Sequence, residues 1–297
     1  MTDSSMPAAT ARRLAVLGSP IAHSLSPRLH AAAYASLGLD WHYDAVDVAE
    51  DDLAAFVAGR GDEWLGLSLT MPLKHSIRPL LDSRDELSVL TGSTNTVRFA
   101  RVDGERRLDG FNTDVGGIVR ALAEKSIVHA RHVAVLGAGA TAASAVVAAA
   151  QLGAEHVSVL ARSPEKADEL VQIAHAAGTS IAILPLTVAS LDIVDASLVI
   201  STLPGTAEPA VLLSDSTLPA RSDLLDVAYH PWPSALGAVW SVSDRTVVSG
   251  LRMLIHQALV QIRIFVNADP ALSLPDESAV LAAMESSVDD LDGPGER

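Results

Sequence analysis

No cysteine occurs in the 297 residues, which excludes disulfides, thiolate nucleophiles and cysteine-based zinc sites. Aromatic side chains are scarce at 4%, and 21 basic residues face 36 acidic ones, for a net charge of −15. Such a balance lacks the net basic face that nucleic acid or an anionic membrane requires, so any anionic ligand must be met by a local cation. No uncharged apolar run reaches membrane-spanning length; the greasiest stretch, 142–152, is short and alanine-rich. Residues 1–10 lack the basic-then-apolar order of a signal peptide. The expectation is a soluble, cytoplasmic protein. Ten histidines are present, but none falls in a metal-ligand spacing on one helix face, and no metal is expected.

What is abundant is small and β-branched: 49% of the chain is apolar, with alanine and valine prominent. Such residues suit helices laid closely on parallel strands. The first 110 or so residues read as α/β, with strands over 14–17, 41–48 and 65–69, helices over 26–37 and 51–58, and a short helix near 71–74. Ser26 reads as an N-cap with Pro27 at the first helical position. Asp103-Gly104 between strand-like pieces near 96–99 and 106–108 predicts a hairpin. Thr113 or Asp114 caps the next helix. Beyond it, strands over 133–136, 157–160, 181–184, 198–201 and 223–227 alternate with helices over 143–152 and 164–177, which implies a parallel, doubly wound sheet. The chain then turns helical over 251–266 and 277–285. Residues 1–11 read as frayed and the acidic tail 286–297 as disordered.

One turn in this pattern has its own chemistry. Gly137-x-Gly139-x-x-Ala142 sits between a strand and a helix, with Ala138, Ala140 and Thr141 as its other members. Gly137 permits the tight turn, Gly139 lets the backbone approach a pyrophosphate at the helix N-terminus, and Ala142 keeps helix and strand close. At the end of the second strand an NAD site usually carries an acidic residue. Here Arg162, Ser163 and Lys166 stand instead, a donor set suited to a 2′-phosphate and hence to NADP, although Arg162 also reads as a solvated loop arginine.

Outside that turn the informative blocks are Gly18-Ser19-Pro20-Ile21-Ala22-His23-Ser24-Leu25-Ser26-Pro27, Leu69-Thr70-Met71-Pro72-Leu73-Lys74, Ser93-Thr94-Asn95-Thr96 and Asn112-Thr113-Asp114. They are followed, after the glycine turn, by Asp226-Val227-Ala228-Tyr229 and the run from Gly250 to Ala258. By order and spacing, over almost the whole chain apart from its tails, this set closely resembles the shikimate dehydrogenases. The resemblance implies reversible, NADP-linked oxidation of shikimate at its 3-hydroxyl. It makes Lys74 and Asp114 the catalytic pair, with the lysine exchanging the alcohol proton and the aspartate orienting it. It makes Ser24 and Ser26 the hydroxyls for the substrate carboxylate, and Thr70, Asn95 and Gln257 partners of the ring hydroxyls. Tyr229 falls at the substrate edge, and Gly250 and Met253 beside the nicotinamide. Read from residue chemistry alone, Ser26 and Asp114 remain helix caps, Lys74 a first-turn surface lysine, Tyr229 ordinary packing, Gly250 a loop glycine and Met253 helix core.

The sequence departs from the family pattern at several places. Ser68 stands for a usual asparagine, leaving room or a water where an amide would reach. Leu73 stands for a frequent phenylalanine, Ala161 for asparagine, Ser249 for aspartate, and residues 201–205 for a different loop. The resulting expectation is α/β: an N-terminal α/β substrate domain over 1–113, a Rossmann-type doubly wound NADP-binding domain over 114–248, and C-terminal helices over 249–297 returning to the first domain. The small-molecule substrate binds in the cleft between them, in a monomer or homodimer. Quinate or an aminoshikimate, with NAD in place of NADP, is the alternative within the family. A catalytically silent, ligand-binding paralogue is the alternative outside enzymology.

Overall fold

The structure is a computed structural model that describes residues 12–204 and 216–290. The frayed start expected for 1–11 and most of the acidic tail lie outside the described residues. The first half builds a six-stranded mixed sheet from β1 (Arg12–Gly18), α1 (Ser26–Ser36), β2 (Trp41–Asp47), α2 (Leu53–Ala58), β3 (Trp64–Leu69), α3 (Leu73–Ser76), β4 (Ser83–Arg84), α4 (Glu86–Thr91), β5 (Thr96–Val102) and β6 (Glu105–Phe111). Its strand order is β2-β1-β3-β5-β6-β4, and β5 runs antiparallel to both of its neighbours. The expected hairpin is present. Asp103 and Gly104 both take positive φ, 53° and 86°, the conformation a two-residue turn between twisted strands demands.

Helix α5 (Asp114–Glu124) carries the chain to a second sheet. That sheet comprises β7 (His132–Leu136), α6 (Ala140–Gln151), β8 (His156–Ala161), α7 (Asp168–Ala177), β9 (Ser180–Pro185), α8 (Val188–Ile193), β10 (Leu198–Ser201), β11 (Asp223–Asp226), α9 (Ala235–Trp240) and β12 (Val247–Ser249). All its pairings are parallel, in the order β12-β11-β10-β7-β8-β9. Numbered from β7, this is the doubly wound arrangement of dinucleotide-binding folds, with its switch point between β7 and β10. Strands β7 and β10 are apolar on both faces because helices cover both sides, which removes any alternation from their sequences.

Helix α10 (Gly250–Asn267) then leaves β12 and returns to the first sheet, followed by α11 (Glu277–Ser286). Leu251, Ile255, Ile262, Phe265 and Met284 share one core with Leu14, Val16, Leu29 and Tyr34. Helix α5 buries its opposite face, Val115, Ile118 and Leu122, in the core of the second sheet. The two connecting helices also lie against each other. A Cβ on Gly117 would sit 2.9 Å from both Gln257 Cβ and the Met253 carbonyl, so only glycine allows α5 and α10 to approach this closely. The α/β architecture and the returning C-terminal helices agree with the sequence reading. No helix among the described residues is long and apolar enough to cross a membrane.

Two local expectations are corrected. The N-cap of α1 is Leu25, not Ser26; Ser26 occupies the first helical position, and Ser24 Oγ accepts its backbone N–H at 3.3 Å. At α5 Thr113, one of the two residues expected there, is the N-cap, but its side chain makes no cap bond; Asn112 Oδ1 accepts from the Val115 N–H instead, at 3.3 Å. The Asp114 carboxylate is turned toward Lys74 and Asn95 instead. The helix read over 164–177 is likewise two pieces, a 3-10 turn over Pro164–Lys166 and then α7.

Candidate active site

The C-terminal ends of β1 and β3 from the first sheet face the N-termini of α5, α6 and α10 across a cleft of about 280 Å³. Among its lining residues Lys74 is the one lysine or arginine. Its position follows from the local chain. Strand β3 ends at Leu69, Thr70 and Met71-Pro72 turn the backbone, and the single turn of α3 plants Leu73 wholly in the core. Lys74, one residue on, is thereby directed along the cleft floor.

Lys74 Nζ donates to Asp114 Oδ2 at 2.6 Å, with side-chain exposures of only 11% and 4%. A charge pair so far out of water persists only if the remaining lone pairs are also satisfied. They are: Asn95 Nδ2 donates to Asp114 Oδ1 at 2.8 Å and to Thr113 Oγ1 at 2.8 Å. The Asn95 side-chain oxygen, Oδ1, accepts from the Thr113 N–H at 2.9 Å and from the Thr96 hydroxyl at 3.0 Å. Thr113 Oγ1 in turn donates to Gln257 Oε1 at 3.2 Å, and Gln257 Nε2 to the Leu254 carbonyl at 3.0 Å. The carboxylate is clamped through both oxygens, so the ammonium it holds has a fixed direction. That direction is into the cleft.

Of the residues picked from sequence, Ser24, Ser26, Thr70, Lys74, Asn95, Asp114, Tyr229 and Gln257 line this one cleft, together with Thr141, Gly250 and Met253 from the cofactor set. Ser26 is buried and Ser24 half-buried. Burial raises the Tyr229 phenol above its ordinary range. Gly250 opens α10, and a Cβ there would meet the Val227 carbonyl at 2.1 Å. Gly137, Ala138, Gly139, Ala140 and Ala142 are not cleft-lining; they form the β7–α6 turn just beyond Thr141. Arg162 is exposed and Ser163 half-buried at the end of β8. The Lys166 side chain lies outside the described residues.

The turn fits a bound pyrophosphate. Gly137 has φ 105°, and a Cβ on it would come within 2.6 Å of Thr202 Oγ1, itself donating to the Leu136 carbonyl at 2.8 Å. Gly139, the N-cap of α6, makes no side-chain cap, and the space where its Cβ would stand has nothing within 4 Å. The N-terminus of α6 is thus without a side-chain cap, and the helix dipole makes such an end favourable for an anion.

Several residues of the site were not singled out from the sequence. Gln261 lines the cleft one helical turn beyond Gln257, a same-face spacing that was available as a signal. His23 lies inside the first quoted block and also lines the cleft. Asn112 fastens the first sheet to the second: its Nδ2 donates to Thr91 Oγ1 and the Ser93 carbonyl, each at 2.9 Å, and to Ser144 Oγ of α6 at 3.1 Å. Ser68 lines the cleft with its short side chain. Its hydroxyl is held by Tyr43, at 2.6 Å, and Gln261, at 2.9 Å.

Comparison with known proteins places this arrangement. Residues 16–97 match the shikimate dehydrogenase substrate binding domain, and residues 121–218 match the shikimate / quinate 5-dehydrogenase family. The shikimate dehydrogenase (NADP(+)) of Geobacter metallireducens is 35% identical over 283 residues, 92% of this chain and 97% of that one. The crystal structure of Mycobacterium tuberculosis shikimate dehydrogenase superposes with a TM-score of 0.81 at 36% identity, covering 93% of this chain and 99% of that one. Shikimate 5-dehydrogenase from Thermus thermophilus, solved in complex with NADP(H) and shikimate, gives 0.75 at 31% identity, with 93% and 99% coverage. The likeness runs through both sheets and the returning helices, and the chain belongs to the shikimate dehydrogenase family.

Proposed function

We propose that the chain catalyses the reversible, NADP-linked oxidation of shikimate at its 3-hydroxyl to 3-dehydroshikimate. The observation that carries this reading is the 2.6 Å contact from Lys74 Nζ to Asp114 Oδ2, on the floor of a cleft whose far wall includes Thr141 of the glycine turn. A small polyol acid seated there has its ring against the ammonium and one face toward the dinucleotide site.

In this reading the first sheet binds the acid and the second the dinucleotide. Ser24 and Ser26 take the carboxylate at the start of α1. The α6 N-terminus takes the pyrophosphate, while Arg162, Ser163 and Lys166 take the 2′-phosphate. The nicotinamide, when bound, accepts or returns the hydride. In the oxidative direction Lys74, having first released a proton to stand as the neutral amine, takes the proton of the reacting hydroxyl; in the other direction, as the ammonium, it gives a proton to the forming alkoxide. Asp114 does not itself exchange the proton. Held by Asn95, it fixes where the amine points, a pre-set geometry that lowers the cost of reaching the transition state.

A kinetic grid tests the reading: shikimate and quinate, each with NADP⁺ and NAD⁺. Shikimate with NADP⁺ is the expected best pair, and Arg162→Ala is expected to raise KM for NADP⁺ far more than for NAD⁺. A preference for quinate with NAD⁺ of about tenfold or more would overturn both substrate and cofactor. Binding of NADPH without turnover of any such acid would mark a silent ligand-binding protein.

A further inference from the structure

From the cleft-lining Ser68 and Gln261 inward, the polar side chains Tyr43, Ser68, Gln261, His30 and Tyr34 are linked by hydrogen bonds whose directions can be worked out one by one. Gln261 Nε2 faces the Asn95 backbone carbonyl at 3.3 Å and Thr96 Oγ1 at 3.0 Å. A carbonyl has no hydrogen to give, so this end of the amide must be the nitrogen. Gln261 Oε1 is then the acceptor for both of its other neighbours, His30 Nε2 at 3.3 Å and Ser68 Oγ at 2.9 Å. His30, fully buried and driven by burial down to a pKa of about 3, is neutral and carries its one hydrogen on Nε2. Its Nδ1 therefore accepts from the Tyr34 hydroxyl at 2.9 Å. The Ser68 hydrogen is committed to Gln261, so the 2.6 Å contact with Tyr43 is a bond from the phenol to the serine.

Ser68 has then spent its only hydrogen and one of its two lone pairs, all inside the protein. Its remaining lone pair is what it can offer the cleft that it lines. An asparagine at this position could present a donor or an acceptor; this serine, held as it is, presents only an acceptor. We propose that Ser68 is an acceptor-only subsite selecting a hydrogen-bond donor on the bound ring, and that Gln261 is the positioning residue that makes it so by holding the serine hydrogen. The proposal deepens the shikimate reading and rests on it for the class of ligand. It extends to ligands with an amino group at the matching ring position, which also donate, and disfavours those with fluorine there, which cannot.

The test uses the full chain and shikimate analogues in which each non-reacting ring hydroxyl in turn is replaced by an amino group or by fluorine. Both kcat/KM, with its separate terms, and equilibrium binding are measured. At one ring position the unmodified enzyme is expected to favour amino over fluoro by roughly tenfold or more, the cost of a buried acceptor left without its hydrogen. Gln261→Leu frees the serine hydrogen to rotate toward the ligand, and the preference should collapse at that position alone. Gln261→Glu, whose buried side chain as the neutral acid can donate to the Asn95 backbone carbonyl while its other oxygen accepts from Ser68, should keep it. Ser68→Ala, a small change that removes the acceptor, should abolish it even if the leucine variant does not fold. Equal treatment of amino and fluoro at every position, or an unchanged ratio in Gln261→Leu and Ser68→Ala, overturns the subsite. Shikimate bound but never turned over sinks the proposed reaction while the binding ratios still judge Ser68; no binding of any of these acids overturns both.

Discussion

Lys74 and Asp114 differ in what their removal leaves behind. Truncating Lys74 takes away the one cation lining the cleft but leaves Asp114 still bonded to Asn95, so the fold retains a partner for the buried carboxylate. Lys74→Ala should therefore lower kcat by roughly 10²–10⁴, the usual worth of a positioned proton-transfer group, with a modest change in KM. Steady-state kinetics on purified variant decide it: near-full kcat would remove Lys74 from the chemistry. This pair also marks the limit of residue-by-residue reading. A lysine in a first helical turn and an aspartate at a helix start are ordinary surface features. Nothing local says that a hairpin and a helix 40 residues on will bring them within 2.6 Å. Only the ordered blocks around them carried that information, whereas Gly137 could be understood from its strand–turn–helix setting alone.

At the scale of elements, the crossing of α5 and α10 is the most exposed to a single substitution. Gly117→Leu forces atoms into a gap that already lacks room for one carbon, and overpacking of this kind costs about 1–3 kcal/mol. It should also displace Gln257, so KM for the acid should rise by more than kcat falls. Denaturant titration and steady-state kinetics check the two effects; wild-type values in both would mean the helices can part without consequence. The sequence made the long elements legible where burial imposed a pattern. Val133 to Leu136 and the alanine-rich α6 were readable because burial leaves an unbroken apolar or small-residue run, and the Asp103-Gly104 hairpin because two adjacent residues set its turn. The caps were not: Leu25 takes the position expected of Ser26, and Asp114 bonds to Lys74 and Asn95, far away in sequence. Short pieces such as β4, β12 and α9 were missed because two, three and six residues cannot display a period.

For the molecule as a whole, His30 sets the response to acid. Its pKa falls from 6.5 unfolded to about 3 in the buried site, so its contribution to stability is complete above pH 6.5 and is lost as pH drops toward 3. Over that window the unfolding free energy should fall by about 1.4 kcal/mol per pH unit from this group alone. Glu124 adds a second loss at lower pH. Burial alone would raise it, but hydrogen bonds and charges from His256 and Arg252 outweigh that and hold it at about 2, so its share fades below pH 4.5. Urea unfolding of the wild type and of His30→Phe across pH 4.5 to 6.5 gives the histidine's share as the difference in slope, because His75, lowered by burial, adds to the slope and Asp85, raised by burial to about 6, opposes it. His30→Phe should flatten the slope there, and an unaltered slope would mean that His30 gains its proton without unfolding.

Helices α5 and α10, side by side, carry the chain out to the second sheet and back. Two adjacent struts of this kind behave as the pin of a door: any swing of one sheet relative to the other must turn about them. Asp114 stands on the first strut and Gln257 on the second, with Asn95 bonded to both, so the proton-handling corner lies on the pivot and hardly travels. The glycine turn belongs to the second sheet, so any such swing would carry it relative to the acid site. The acid can thus be gripped in its final pose while the door stands open, and what a closing motion delivers is the other reactant.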